Sequence, residues 1–230
     1  MEHRNNRWER AQKAEWEAWD RSQILANMDE IRKRNIDYLC QRTKLDESEL
    51  KKLRILEIGG RAVERAFNDP DIPDKYVLDP LFPWDSPSGE NTVAMPCIHR
   101  IKGMAENITL PDNSIDLCFC ANTIDHTSSP QTVLKEIRRV LINNGSLVIS
   151  CNLLPGYVKP LIPLFNILDT PHPHHFTLGM FRNLLTNEKF TINNQEGSYL
   201  DKYSSTNKFK SSIATLFRIK YTFFICKPTK

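Results

Sequence analysis

The pattern of hydrophobic and polar positions changes period near residue 54. Before it, residues 5–40 contain no proline or glycine. Trp8, Ala11, Trp16 and Trp19 fall near one helical face, which Leu25, Met28 and Ile31 continue. After it, short apolar runs alternate with helical segments, the pattern of a parallel sheet covered by helices. Strands are predicted at 54–58 (RILEI), 75–79 (KYVLD), 99–103, 115–121 (IDLCFCA) and 146–151 (SLVISC). The run 115–121 is apolar on both faces and is therefore central. A short helix over 62–68 separates the first two strands. Ser129 is a good N-cap and Pro130 suits the first helical position. Val133, Leu134, Ile137, Val140 and Leu141 form one buried face, so a helix is predicted from 130 to a stop at Asn144 and Gly145. Residues 153–175 carry five prolines and read as a long connection of the lid type. Thr177 caps a further helix to about 185. Residues 190–199 and 216–226 are the last strand candidates, around a polar excursion at 201–212.

Length, charge and cysteines narrow the class. A chain of 230 residues makes one domain with a sizeable core, or one domain plus an appendage. Residues 1–50 form a helical extension that either packs on the main domain or closes over its site as a lid, and 51–230 form the main domain. The net charge of +3 is spread along the chain and mixed with acids, without the concentrated basic stripe of a dedicated nucleic-acid binder. No apolar run approaches the ~18–20 residues of a membrane span. The first residues lack a signal-peptide core. A cytoplasmic protein without a membrane span is expected. Six cysteines include no CxxC pair, and Cys118 and Cys120 lie in an apolar strand, so reduced buried thiols are expected in place of disulfides or zinc.

The first predicted strand ends in Glu57-Ile58-Gly59-Gly60, and Asp79 closes the second strand 20 residues after Gly59. A strand, a glycine turn, a helix and then an acid at that distance form the general nucleoside-cofactor signature of doubly wound folds. Glycine lets the backbone approach the cofactor, and the acid accepts hydrogen bonds from ribose hydroxyls. Nicotinamide oxidoreductases share this much, but the chain lacks their GxGxxG.

The block 103–151, GMAENITLPDNSIDLCFCANTIDHTSSPQTVLKEIRRVLINNGSLVISC, separates the two. It closely resembles the class I S-adenosylmethionine-dependent methyltransferases of the type 11 group. Their core reads as an acid-containing loop, "LP", "D-x-S-hydrophobic-D", a strand, "DH" or "EH", and "EIxRVLxxxG". Here these are Ala105-Glu106, Leu110-Pro111, Asp112 through Asp116, Asp125-His126 and Glu136 through Gly145. The resemblance covers residues 54–152 well and the remainder to 230 loosely. It implies a doubly wound α/β fold: a mostly parallel seven-stranded sheet, Rossmann-like, with a final antiparallel strand and an N-terminal helical extension. It implies methyl transfer from S-adenosylmethionine to a small-molecule, sugar or lipid-linked acceptor. It sets Glu57, Gly59 and Gly60 at the methionine end of the cofactor and Asp79, followed by Pro80, at the ribose. Met104, Ala105 and Glu106 fall beside adenine, and Asn122 falls where the backbone passes the sulfonium.

Two departures are visible. Arg61 and Val63 occupy positions where the family's first motif has glycine, and Met104 stands where an acid is frequent, leaving Glu106 or backbone groups for adenine. A non-catalytic binding protein with a degenerate cofactor site is the alternative they leave open. Four histidines are the candidates for a general base, which a hydroxyl acceptor needs. His126 either faces the substrate or caps its turn. His172, His174 and His175 either line the acceptor and take its proton or cap the following helix. A metal is the least favoured reading there, because Asp169 is the only carboxylate near them in sequence. Asp116 reads as a support of the fold.

Overall fold

The computed structural model describes Lys13 and residues 28–60, 63, 66, 67, 73–81, 98–168, 172–199 and 218–229. The tryptophan face of 8–25, the prolines of 82–97, Asp169 and the excursion at 201–212 lie outside these residues.

Five parallel strands form one side of the sheet: β1 (Ile55–Ile58), β2 (Lys75–Asp79), β3 (Ile98–Lys102), β4 (Ile115–Ala121) and β5 (Leu141–Leu154). A two-residue strand, β6 (Phe176–Thr177), pairs parallel with β5. The chain then forms β7 (Phe190–Tyr199) and β8 (Lys220–Pro228), and β8 inserts antiparallel between β5 and β7. The order is β3-β2-β1-β4-β5-β8-β7, the seven expected strands with β6 added beside β5. It reverses direction between β1 and β4, and doubly wound folds bind ligands beyond the carboxyl ends of the strands at such a reversal.

Each face of the sheet is covered. On one, α3 (Pro130–Val140) and α5 (Leu178–Asn187) bury Val133, Leu134, Ile137, Phe181 and Leu185 against Cys118, Ile149 and Phe224. Ser129 caps α3 by accepting from the Thr132 N–H, and Thr177 caps α5 by accepting from the Met180 N–H, as predicted. On the other face, α1 (Met28–Thr43) and α2 (Glu47–Lys51) bring Ile36, Leu39 and Leu50 against Ile55, Val77, Phe119 and Val148. Tyr38 of α1 stands edge-on to Phe119 with ring centroids 5.9 Å apart.

Two expectations need correction. The helix beginning at Pro130 stops at Val140, not at Asn144 and Gly145, because Leu141 already pairs with Ile115 as the first residue of β5. The segment after Leu153 is also not an open connection. Gly156–Leu161 forms a 3-10 helix and α4 (Ile162–Leu168) follows it. Pro155 precedes the first helix and Pro163 stands in the first turn of α4, a position where a missing N–H costs nothing.

Candidate active site at the carboxyl edge of the sheet

At the end of β1 the chain turns at Gly59, whose φ is +68°. A β-carbon there would overlap the side chain of Thr123, which sits just past β4. Thr123 in turn donates its hydroxyl to the Ile58 and Ala121 carbonyls at 3.1 Å each, fastening the ends of the two strands together. Gly60 is also committed, since a β-carbon there would overlap the Glu57 carboxylate. That carboxylate is buried and accepts the Val63 N–H at 2.9 Å, so Glu57 props the turn from below. At the end of β2, the buried Asp79 carboxylate accepts the Leu81 N–H at 2.7 Å across half-buried Pro80. The Asp79 carbonyl accepts the Gly103 N–H, which draws the loop after β3 alongside.

That loop turns at Met104, whose carbonyl accepts the Asn107 N–H at 3.0 Å, and buries Ala105. Glu106 has a task the sequence did not reveal. Its Oε1 accepts the Ser128 N–H, the Ser128 hydroxyl and the Ser129 N–H at 2.7, 2.7 and 3.0 Å. An acid at the N-terminus of α3 suits the helix dipole, and it ties the loop to the helix.

Beyond β4, Asn122 takes φ +53° and its N–H reaches the Ser150 carbonyl and hydroxyl. Its side-chain oxygen accepts from Asn152 Nδ2 at 2.8 Å, while the buried Asn152 Oδ1 has no hydrogen-bond partner. Ser150 donates to the Tyr221 hydroxyl at 2.9 Å, and Tyr221 packs with Tyr38 of α1 against the same core cluster. Burial pushes both phenols above their ordinary pKa, so they stay neutral and act as hydrogen-bonding groups. Burial likewise raises the Cys118 and Cys151 thiols and pushes Cys120 and Cys226 up to about 12. These four thiols and the half-buried Cys40 form no disulfide with one another, and the buried ones are unreactive.

The four histidines divide. His126 closes the 3-10 turn Ile124–His126, and its ring lies 4.5 Å from that of His172. His175 is 6.2 Å from His172 and shares its Nδ1 with Asn166 Oδ1 at 2.8 Å. His174 stacks on Phe176, with centroids 6.3 Å apart, and its backbone N–H donates to the Asp125 carbonyl. The fold thus brings His126 and His172 together from positions 46 residues apart in the chain.

Residues 86–149 match the family model of a methyltransferase domain. No curated protein matches the chain in sequence. The YcgJ protein from Bacillus subtilis superposes with a TM-score of 0.62 at 16% identity, over 86% of this chain and 99% of that one. Geranyl diphosphate C-methyltransferase from Streptomyces coelicolor A3(2), solved with Mg2+, geranyl diphosphate and S-adenosyl-L-homocysteine, superposes at 0.63 with 8% identity, over 86% and 79%. The chain has the class I methyltransferase fold. The [4+2]-cyclase SpnF shares it too, at a TM-score of 0.57 and 17% identity over 86% and 81%. The reaction therefore has to be argued from the site.

Within the methyltransferase fold, the family-like residues of 106–145 are mostly carpentry. Arg139 donates to the Ile108 and Leu110 carbonyls, to Asp112 and twice to Glu136, which itself accepts the Ile108 N–H. "EIxRVL" thus staples the "LP-D-x-S" loop to its helix. Asp116 supports the fold, as expected, by accepting from the Arg54 backbone and guanidinium at 2.8–2.9 Å. Val63 is harmless at its glycine position, because its side chain is buried with Phe67 in the core. Arg61 lies outside the described residues. Missing from the sequence reading were Thr123, Ser150, Asn152 and Tyr221. Ser150 and Asn152 were visible as polar residues two apart, on one face of the otherwise apolar stretch 147–154.

Proposed function

We propose that this protein transfers a methyl group from S-adenosylmethionine to a small-molecule, sugar or lipid-linked acceptor. The observation that carries the proposal is the pairing of the positive-φ turn at Gly59 with the buried Asp79 carboxylate on the adjacent strand, beside the reversal of strand order. The residues present fit the cofactor. Gly59 and Gly60 let backbone approach its methionine end, with Glu57 bracing the turn. Asp79, with Pro80 behind it, receives the ribose hydroxyls. The backbone of Met104 and Ala105 borders adenine, held in place because Glu106 grips Ser128 and Ser129. Asn122 lies where the sulfonium passes.

When bound, S-adenosylmethionine supplies a methyl group that is already electrophilic. What the chain adds is alignment and exclusion of water. Asn122 and Asn152 offer polar groups to the acceptor, and His126 and His172, with His174 and His175 behind, stand where a hydroxyl proton would be taken. Tyr157, Leu161 and Leu164 are exposed on the segment after β5, which supports an acceptor with an apolar portion. The helices before residue 50, which pack beside Tyr221 through Tyr38, are the proposed lid. Free thiols support a reducing, cytoplasmic setting. No helix among the described residues is long and apolar enough to cross a membrane.

The test is thermal unfolding with and without S-adenosylmethionine and S-adenosylhomocysteine. Ligand at ~100 times its dissociation constant adds about 2.7 kcal/mol. For a chain of this size that raises Tm by about 5–10 °C. Asp79→Ala is expected to abolish the shift, read against its own unliganded Tm, which should fall by a few degrees with the lost Leu81 N–H bond. No shift in the wild type at millimolar ligand would favour the non-catalytic reading.

A further inference from the structure

Asp125, the chain neighbour of His126, has no role legible from sequence, and the fold provides one. Asp125 and His126 share the 3-10 turn after β4, and His172 arrives from the segment before β6. A carboxylate oxygen of Asp125 and a ring nitrogen from each histidine all lie within 4.8 Å of one another. The two rings are tilted by 50°. Backbone fixes the meeting, because the His174 N–H donates to the Asp125 carbonyl at 3.2 Å.

The second observation concerns the carboxylate itself. Asp125 is only 3% exposed, and its Oδ1 is buried without a hydrogen-bond partner. A buried carboxylate oxygen lacking a donor is costly, and folded proteins resolve that cost with a bound cation or a shared proton. Two imidazoles and one carboxylate form a donor set suited to zinc and its first-row neighbours, and unsuited to magnesium or calcium, which prefer oxygen.

The geometry points to a divalent transition-metal site, of the zinc class, formed by Asp125, His126 and His172. His175, engaged with Asn166, and His174, stacked on Phe176, stand outside the ligand set. Three protein ligands leave at least one coordination position open to water or an incoming oxygen. Metal binding itself does not depend on the methyl-transfer reading. One consequence rests on that reading: an acceptor hydroxyl bound at the open position would release its proton to water and keep its electron pair on oxygen for the attack. This replaces the expectation of a general-base histidine with that of two ligand histidines.

The test uses the full chain, freed of metal by a chelator and titrated with Co2+ and then Zn2+. One equivalent of Co2+ should bind, with visible absorption of a low-coordinate nitrogen-containing site, and Zn2+ should displace it. His172→Ala and Asp125→Asn should each weaken binding by at least about 100-fold. His99→Ala, on β3 and paired with Asp74, should bind as the wild type does. Unfolding curves establish that the variants are folded, and His172→Ala, on a half-buried loop position, guards against a collapse caused by Asp125→Asn. Absence of stoichiometric Co2+ binding in the wild type would overturn the proposal, as would binding that survives in both ligand variants. The S-adenosylmethionine-induced shift, read on the same preparations, reports on the methyl-transfer reading separately.

Discussion

Where the strands begin, Lys75, Arg54, Asp116 and Arg139 are all paired; where they end, several polar groups are not. At the starting edge, Lys75 is fully buried and its ammonium donates to the Lys51, Leu53 and Pro73 carbonyls at 3.2, 2.6 and 2.9 Å. Arg54 and Asp116 pair in a fork, and Arg139 holds the loop before β4. At the finishing edge, Gly59 and Asn122 take positive φ, and the buried oxygens Asp125 Oδ1 and Asn152 Oδ1 lack partners. The unmet carboxylate and amide oxygens lie where a ligand would relieve them, while the ion pairs and hydrogen bonds of the opposite edge supply stability that offsets them. The contrast assigns different readouts to mutations at the two edges: unfolding at one, ligand response at the other.

The largest effect on stability is expected from Lys75→Met. It keeps the apolar stem but leaves three partly buried carbonyls without their charged donor, at a cost of about 3 kcal/mol. Tm should fall by about 6–12 °C, and the S-adenosylmethionine-induced shift should persist. A lost shift with an unchanged Tm would break the contrast between the edges. Arg139→Ala removes five hydrogen bonds from a partly exposed side chain. A loss of about 2 kcal/mol is expected. Because the staple restrains the loop that continues into 104–107, the ligand-induced shift should shrink without vanishing. Urea unfolding with and without S-adenosylhomocysteine measures both.

The same contrast explains what could be read from the sequence. Periodicity located the strands because burial on both faces writes itself as continuous apolar runs, as in IDLCFCA. The caps Ser129 and Thr177 were legible because capping is local chemistry. Lys75 was not, since nothing in its neighbours tells that three carbonyls 2, 22 and 24 positions away converge on it. The helix end at Val140 was misplaced because pairing of Leu141 with Ile115 overrode a local stop signal at Asn144 and Gly145. At the site, the glycine turn and Asp79 followed from spacing. The triad of Asp125, His126 and His172 did not, because its third member comes from a segment whose prolines read as a loop but partly open helices. Glu106 resembled a cofactor ligand, and only the three-dimensional structure reveals its bonds to Ser128 and Ser129.

The smallest expected effect is a pH dependence at the starting edge. The Arg54 guanidinium, by hydrogen bonds first and charge after, holds the Asp116 carboxyl below its ordinary value near 3.8. A carboxylate whose pKa is lower in the folded than in the unfolded chain stabilises the fold above the unfolded value and loses that contribution as pH falls through the folded one. The pair is partly exposed, with 42% of the Arg54 side chain and 19% of the Asp116 side chain accessible, so solvent screening limits it to about 1 kcal/mol. Asp116→Asn keeps a hydrogen-bonding side chain but lacks the charge. Wild type should therefore be the more stable at pH 6, and the two unfolding free energies should converge as pH drops below about 4. High salt at pH 6 should narrow the same gap. Parallel curves across that range would show that the fork contributes through shape and hydrogen bonds alone, and the starting edge would then owe its stability to Lys75 and Arg139.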